Sequence, residues 1–307
     1  WEGRVHRVGA SAGITLIDDN NHQAAEVMSQ ADIACYASKN GGRGRVTIYE
    51  PQQAAAHSER AVMSLDEQWR MIKENQLMMI AHGIASPRLP EASNLWLISL
   101  KLWSCESEII DEQTFRRSFS DPALSHALDQ RVCHDFFQQA AKAVASKGLS
   151  IALPLSVAGL SSATLVNELL EQLENSPLPA RLLHLIIPAE AILDHAESVQ
   201  KLRLAGCRIV FSQVGRDLQI FNSLKVNMAD YLLLDGELCA NVQGNLMDEM
   251  LITIIQGHGM KTIAGPVVLP LVMDTLSGIG VDLIYGDVIA DAQPLDLLVN
   301  SSYFAIN

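Results

Sequence analysis

Residues 95–103 read LWLISLKLW. So short and so apolar a run predicts a strand covered on both faces, as in a parallel sheet, rather than one washed by solvent on one side. Seven further segments share the texture: Leu77–Ile84, Leu149–Leu155, Leu182–Ile187, Cys207–Phe211, Tyr231–Leu234, Lys261–Ala264 and Asp282–Tyr285. Helical stretches separate most of them. Leu124, Leu128, Val132, Phe136, Ala140 and Val144 recur every four residues before Gly148, a C-terminal stop. Leu165, Leu169 and Leu173 do the same after Ser161-Ser162, an N-cap pair. The stretch NLMDEMLITIIQ is apolar nearly all round, which predicts burial against the barrel and against a partner chain. Eight strands alternating with helices predict an α/β chain whose residues 76–307 form a (β/α)8 barrel of the TIM type. A doubly wound open sheet is the alternative, but no glycine-rich phosphate loop follows the first strand.

Ahead of the barrel the texture differs. Residues 1–50 read as strand, helix and strand: VHRVGASAGITLI, then Ala24, Val27, Met28, Ala31 and Cys35 at helical spacing up to Gly41-Gly42, then RVTIYE. Three elements cannot enclose a core, so the segment is expected to be the end of a larger domain. Residues 51–75 carry Val62, Leu65, Trp69 and Ile72 at three- and four-residue steps, an amphipathic connecting helix.

With 49% hydrophobic residues the chain can fill a core and is not expected to be disordered. The net charge of −13 argues against nucleic acid and against anionic lipid as partners. No apolar run is long enough to cross a bilayer, and the opening WEGRVHRVG has no signal-peptide pattern, so the segment is expected to be cytoplasmic. Its five cysteines are scattered, without a CxxC pair, and suit small buried hydrophobes. The nine histidines show no ligand spacing; His126 and His134 share a helix face, where a solvated or capping role is expected.

In a TIM-type barrel chemistry sits at the C-terminal ends of the strands. Those ends offer Ile98, Leu102, Pro154, Ile186, Pro188, Ser212, Gln213, Leu233, Gly265, Pro266 and Tyr285, with Asp235 the one carboxylate and Asp287 just beyond. Hydrocarbon side chains donate nothing to a cation, and neither Ser156 nor Ser212 stands in an evident Ser-His-acid arrangement.

Two stretches nevertheless resemble known families. SAGITL followed by QADIACYASKNGGRGRVTIYE resembles the last third of a GGDEF diguanylate cyclase domain, with Asp32, Tyr36, Lys39, Gly42, Arg43 and Arg45 on its pattern and Ser38 and Gly44 departing from it. The resemblance implies that Lys39 is the one candidate contact for GTP phosphates, against a plain dipole-favoured lysine at a helix end. Residues 76–307 resemble an EAL domain, the barrel phosphodiesterase of cyclic di-GMP. Trp103, Phe115, LPARLL, Gly206, Gly215, ADYLLLDGEL, IAGPVV and GIGVDLIYGDVIA carry that framework.

What the resemblance implies about the site is negative. The glutamate of the family's EAL motif falls on Ile98 and its arginine on Leu102, and the metal-binding asparagine is Pro154. The next glutamates fall on Ile186 and Ala189, with Glu190 adjacent. The paired aspartates are Ser212 and Gln213, the water-assisting lysine is Leu233, and the late glutamate is Gly265. The family's QGY glutamine is Tyr285, its QP pair is His82-Gly83, and Asp235 alone is kept.

The implied molecule is a catalytically inactive EAL-like barrel, with no catalytic residue, metal or cofactor of its own. It belongs to the C-terminal part of a multidomain enterobacterial diguanylate cyclase that uses Mg and GTP, anchored in the inner membrane. Expected partners are its own GGDEF module, a second copy in a homodimer, and proteins of cyclic di-GMP signalling. A non-hydrolysing sensor of cyclic di-GMP or GTP is the alternative, with Arg216 the nearby cation; a dimerisation scaffold is another. The family pattern also implies about four further residues near His258-Gly259.

Overall fold

The computed structural model describes residues 10–17, 24–40, 45–50, 65–74, 77–90, 93–103, 109–111, 115–116, 119, 121–214, 228–242, 246–257 and 259–300. Contacts divide the chain into two compact units, residues 1–67 and 68–307.

In the first unit β1 (Ala12–Ile14) and β2 (Val46–Ile48) pair in parallel through the helix Ala24–Asn40. Gly13 makes this crossover possible. A Cβ there would stand 2.1 Å from the Ala31 carbonyl oxygen and from the Cys35 nitrogen, so only glycine lets the helix lie this close. The alternate strand positions Ile14, Val46 and Ile48 are exposed. The side chain of Lys39 lies outside the described residues, as do Gly41-Gly42 and the connecting segment up to residue 64.

The second unit is a closed barrel of eight strands. Around it run β3 (Leu77–Ala85), β4 (Leu95–Trp103), β6 (Ser150–Pro154), β7 (Leu183–Pro188), β8 (Arg208–Val214), β9 (Tyr231–Leu234), β10 (Lys261–Ala264) and β11 (Leu283–Tyr285). Two short strands, β5 (Ile109–Asp111) and β12 (Gln293–Pro294), are laid on β4 and β3. The eight expected strands are all present. One departs from the simple repeat: β3 runs antiparallel to both its neighbours, β4 and β11. No helix joins it to β4, because the stretch 86–94 is shorter than the dozen or so residues a parallel crossover needs. A turn bridged between Ser86 and Leu89 opens that connection.

Side chains alternate across the wall. Ile84, Leu95, Leu97, Ala152, Ile186, Val210 and Ile263 fill the interior, with Tyr231, Leu233, Leu283 and Tyr285 packed on them. The opposite parity, including Ile98, Leu100, Leu102, Leu153 and Leu185, is buried on the outer side. Continuous apolar strands are needed because both faces are covered.

Helix ends fall where the sequence predicts at Gly148 and Ser162, but the single helix expected from Leu124 to Val144 is broken at Ala140 into two. Asp121 caps Pro122–Gln139 by accepting from the Ala123 amide at 2.8 Å, and Gly148 closes Ala141–Lys147 at φ 65°. Ser162 caps Ala163–Glu174 and also meets His126 Nε2 at 3.0 Å, so that histidine bonds a capping hydroxyl rather than capping a helix itself. Asp129 is fully buried and fixes the entry to the helix Val157–Ser161. It accepts from Arg116 Nη2 at 2.7 Å and from the Ser156 amide and hydroxyl at 2.8 and 2.5 Å. Cys133, Cys207 and Cys239 are buried free thiols and Cys35 is half-buried. Gly259 is described but His258 is not, and no described helix is long and apolar enough to cross a membrane.

Candidate functional site

The mouth of the barrel is formed by the C-terminal ends of the parallel strands, and alternation decides which side chains reach it. Pro154, Ile186, Ser212, Leu233, Gly265 and Tyr285 have interior parity, as expected. Ile98 and Leu102 do not. They lie on the outer side of β4, 1% and 0% exposed, opposite Ala81 and Leu77 across the β3–β4 ladder. The expectation that they stand at the mouth is corrected: their neighbours Ser99 and Lys101 share the parity of Leu95 and Leu97 and take the inward seats.

Ser99 brings a polar contact that residue-by-residue comparison with the family missed. Its hydroxyl meets His82 Nε2 at 2.7 Å across β3 and β4, and the imidazole stands edge-on to Tyr285 with centroids 6.0 Å apart. The signal was present in LWLISLKLW, where Ser99 and Lys101, the two polar residues, lie two apart and so on one face. Burial, then the Lys101 charge, lowers the His82 pKa, and Asp287 opposes them. A neutral imidazole beside a hydroxyl satisfies half of the requirement for an activated nucleophile. The other half is absent among the described residues, where no carboxylate hydrogen-bonds the ring.

Two places at the mouth carry unusual backbone. Gln213 sits at φ 60° in a bulge where Phe211 faces Leu232 but Val214 faces Leu234. An extra residue here re-aims Ser212 and Gln213 relative to a regular strand, and Gln213 is exposed. Gly265, at φ 151°, is jammed against β11: a Cβ would meet the Tyr285 carbonyl oxygen at 2.5 Å and its ring at 2.6 Å. No side chain of any kind fits there without displacing Tyr285.

Asp235 is buried at the start of the helix Gly236–Asn241 and receives Cys239 N–H on its carbonyl at 3.1 Å. Burial pushes the Cys239 thiol up to about 11, against a hydrogen bond from the Gly265 backbone and with the Asp235 charge adding to the rise. Burial likewise raises the Tyr285 phenol, helped by Cys239 and Asp235. These groups stay protonated at neutral pH. Glu190 is exposed and its neighbour Ala189 is buried. Among the described residues no three His, Cys, Asp or Glu converge as metal ligands. A two-ion hydrolytic centre needs several hard oxygen donors, and proline, isoleucine, leucine and glycine at these seats supply none, so the donor set does not fit such a centre.

The family model described as "EAL domain" matches residues 98–292. A "Probable diguanylate cyclase DgcE" of Escherichia coli (strain K12) is 93% identical over all of this chain, which spans 28% of that protein. A "Cyclic di-GMP phosphodiesterase PdeB" of Shewanella oneidensis is 22% identical over 94% of the chain, which spans 35% of it. The chain thus covers only about a third of the curated relatives it matches. Among solved structures, the Xanthomonas citri FimX EAL domain in complex with c-diGMP superposes with TM-score 0.64 and 18% identity, over 81% of this chain and 99% of that one. The PaMucR phosphodiesterase in its c-di-GMP complex gives TM-score 0.66 and 17% identity, over 76% and 98%.

Proposed function

The chain belongs to the EAL domain family, and on that premise we propose that its barrel has given up hydrolysis and regulates or scaffolds a diguanylate cyclase module in a longer protein. One observation carries this: the inward seats at the mouth hold Pro154, Ile186, Leu233 and Gly265, which can neither bind an ion nor activate water. Loss of one general base costs about 10²–10⁴ in rate, and loss of the metal clamp removes the nucleophile itself. The cyclase activity belongs to the longer protein, as the name of the 93% identical relative supports, and would use GTP and Mg there.

A second copy of the chain is the partner we place on the helices Leu246–Gln256 and Pro270–Ile279. Ile252 and Ile255 face inward, while Met250, Ile254, Val268, Leu269 and Leu271 are left exposed on or beside these helices.

The decisive experiment incubates the purified chain with cyclic di-GMP and Mg or Mn. No linear product is expected, and measurable turnover overturns the proposal. Cyclase output of the longer protein with and without residues 68–307 then tests regulation; equal output removes it. The sensor reading is favoured by solved relatives that hold c-diGMP. Calorimetry with the dinucleotide separates the two, since tight binding without cleavage selects the sensor.

A further inference from the structure

The opposite end of the barrel gathers what the mouth lacks. A crevice of about 790 Å³ opens at the N-terminal ends of the strands, lined by Arg181, Arg203, Arg208, Lys261, His184 and Tyr231 among others. The volume lies in the range of roughly 300–1,000 Å³ typical of small-molecule sites. The chain as a whole carries −13, yet here four cations face one carboxylate, Asp230, among the described residues.

That carboxylate is already engaged. It takes the Arg208 guanidinium at 2.5 Å and the Ile209 amide at 2.9 Å. Arg181 and Lys261, both exposed, have no ion pair with a described residue. The crevice is therefore locally cationic.

A second observation is independent of charge. His184, on β7 and 6% exposed, belongs to the wall of the crevice, and its Nδ1 is buried without a hydrogen-bond partner. An orphaned buried polar atom is unfavourable, and an occupant able to bond it would relieve that cost. The ring lies against Tyr231, with centroids 5.8 Å apart and planes inclined at 32°, so one wall is aromatic.

We propose that this crevice at the floor of the barrel binds a small phosphorylated ligand, its phosphoryl oxygens held by Arg181, Arg203, Arg208 and Lys261. Guanidinium groups offer paired N–H donors matched to phosphate oxygens, and a lysine adds a point charge. A carboxylate ligand would match fewer of these donors. The site lies away from the mouth and does not depend on whether the mouth hydrolyses anything.

Titration calorimetry of the whole 307-residue chain with inorganic phosphate, pyrophosphate and GDP tests it, with the His184 ring followed by NMR. Pyrophosphate and GDP are expected to bind, to weaken with added salt, and to shift the His184 resonances. If GDP binds no better than pyrophosphate, the phosphoryl group alone is recognised; tighter GDP binding adds the aromatic wall. The double variant Arg181→Ala/Lys261→Ala, which removes two exposed side chains without ion pairs, is expected to weaken both ligands at least about tenfold. Absence of binding by all three probes overturns the proposal. So does binding that leaves His184 unmoved, or that the double variant does not weaken while its thermal midpoint matches the parent.

Discussion

The two ends of one barrel have been built from different alphabets. At the mouth, interior seats are taken by Pro154, Ile186, Leu233 and Gly265, and the core continues upward until it meets solvent. At the floor, the first residues of β8 and β10, Arg208 and Lys261, stand with Arg181 and Arg203 around a buried imidazole. A barrel wall needs hydrocarbon only in its middle layers; both rims are free to carry charge. In this chain four cations gather on the rim where strands begin, while the rim where strands end carries Lys101 and Asp235 among apolar seats. Function in barrels of this kind is usually placed the other way round.

The contrast can be broken most directly at Ile186. Ile186→Glu would put a carboxylate among the apolar residues that fill the interior, and is expected to destabilise the chain by about 3–5 kcal/mol without producing hydrolysis. Urea unfolding and a phosphodiesterase assay check both halves. A well-folded variant that cleaves cyclic di-GMP would mean that the mouth needs only one donor restored.

At the floor the expected effect is smaller and depends on pH. Burial lowers the His184 pKa from 6.5 to about 4, with Arg208 adding to the fall and Asp230 opposing it. Between those values the unfolded chain binds more protons than the folded one, so stability rises with pH across the window and is lost as pH falls. The loss approaches about 3 kcal/mol once pH drops below 4. His184→Phe removes this slope, and it is expected to be level with or above the parent at pH 7 because the orphaned Nδ1 goes with it. An unchanged slope in that variant would place the titration elsewhere.

Gln213 offers a gentler test. Its φ of 60° strains a non-glycine residue, and Gln213→Gly is expected to stabilise by up to about 1 kcal/mol after the entropy glycine costs. Thermal melting decides the sign; destabilisation would mean that the Gln213 side chain makes a contact worth more than the strain. Smallest of all, Arg181→Ala/Lys261→Ala should leave stability within about 0.5 kcal/mol of the parent, as befits exposed side chains. A larger loss would make the floor charges structural and remove the reason to look for a ligand there.

Much of the fold was legible because strands covered on both faces leave an unbroken apolar imprint, and LWLISLKLW and its seven companions carry it. The caps at Gly148 and Ser162 were legible for a similar reason, since each satisfies backbone groups within a few residues. The reversal of β3 was less visible, although the stretch 86–94 is too short for a crossover. Matching Ile98 to a family glutamate failed to give its direction, because a register step of one residue moves every side chain to the other face.

The residue types alone determined that the chain could fill a barrel, and that hydrocarbon would stand at most seats where its family places donors. Only tertiary structure decided that Ser99 rather than Ile98 looks into the mouth, that Gly265 has no room for a side chain, and that Arg181, Arg203, Arg208, Lys261 and His184 share one crevice. Arg181 and Lys261 lie 80 positions apart in sequence, and closing a barrel brings together strand starts and the helices before them that no local periodicity connects. Composition is carried along the chain, whereas proximity is created by closure.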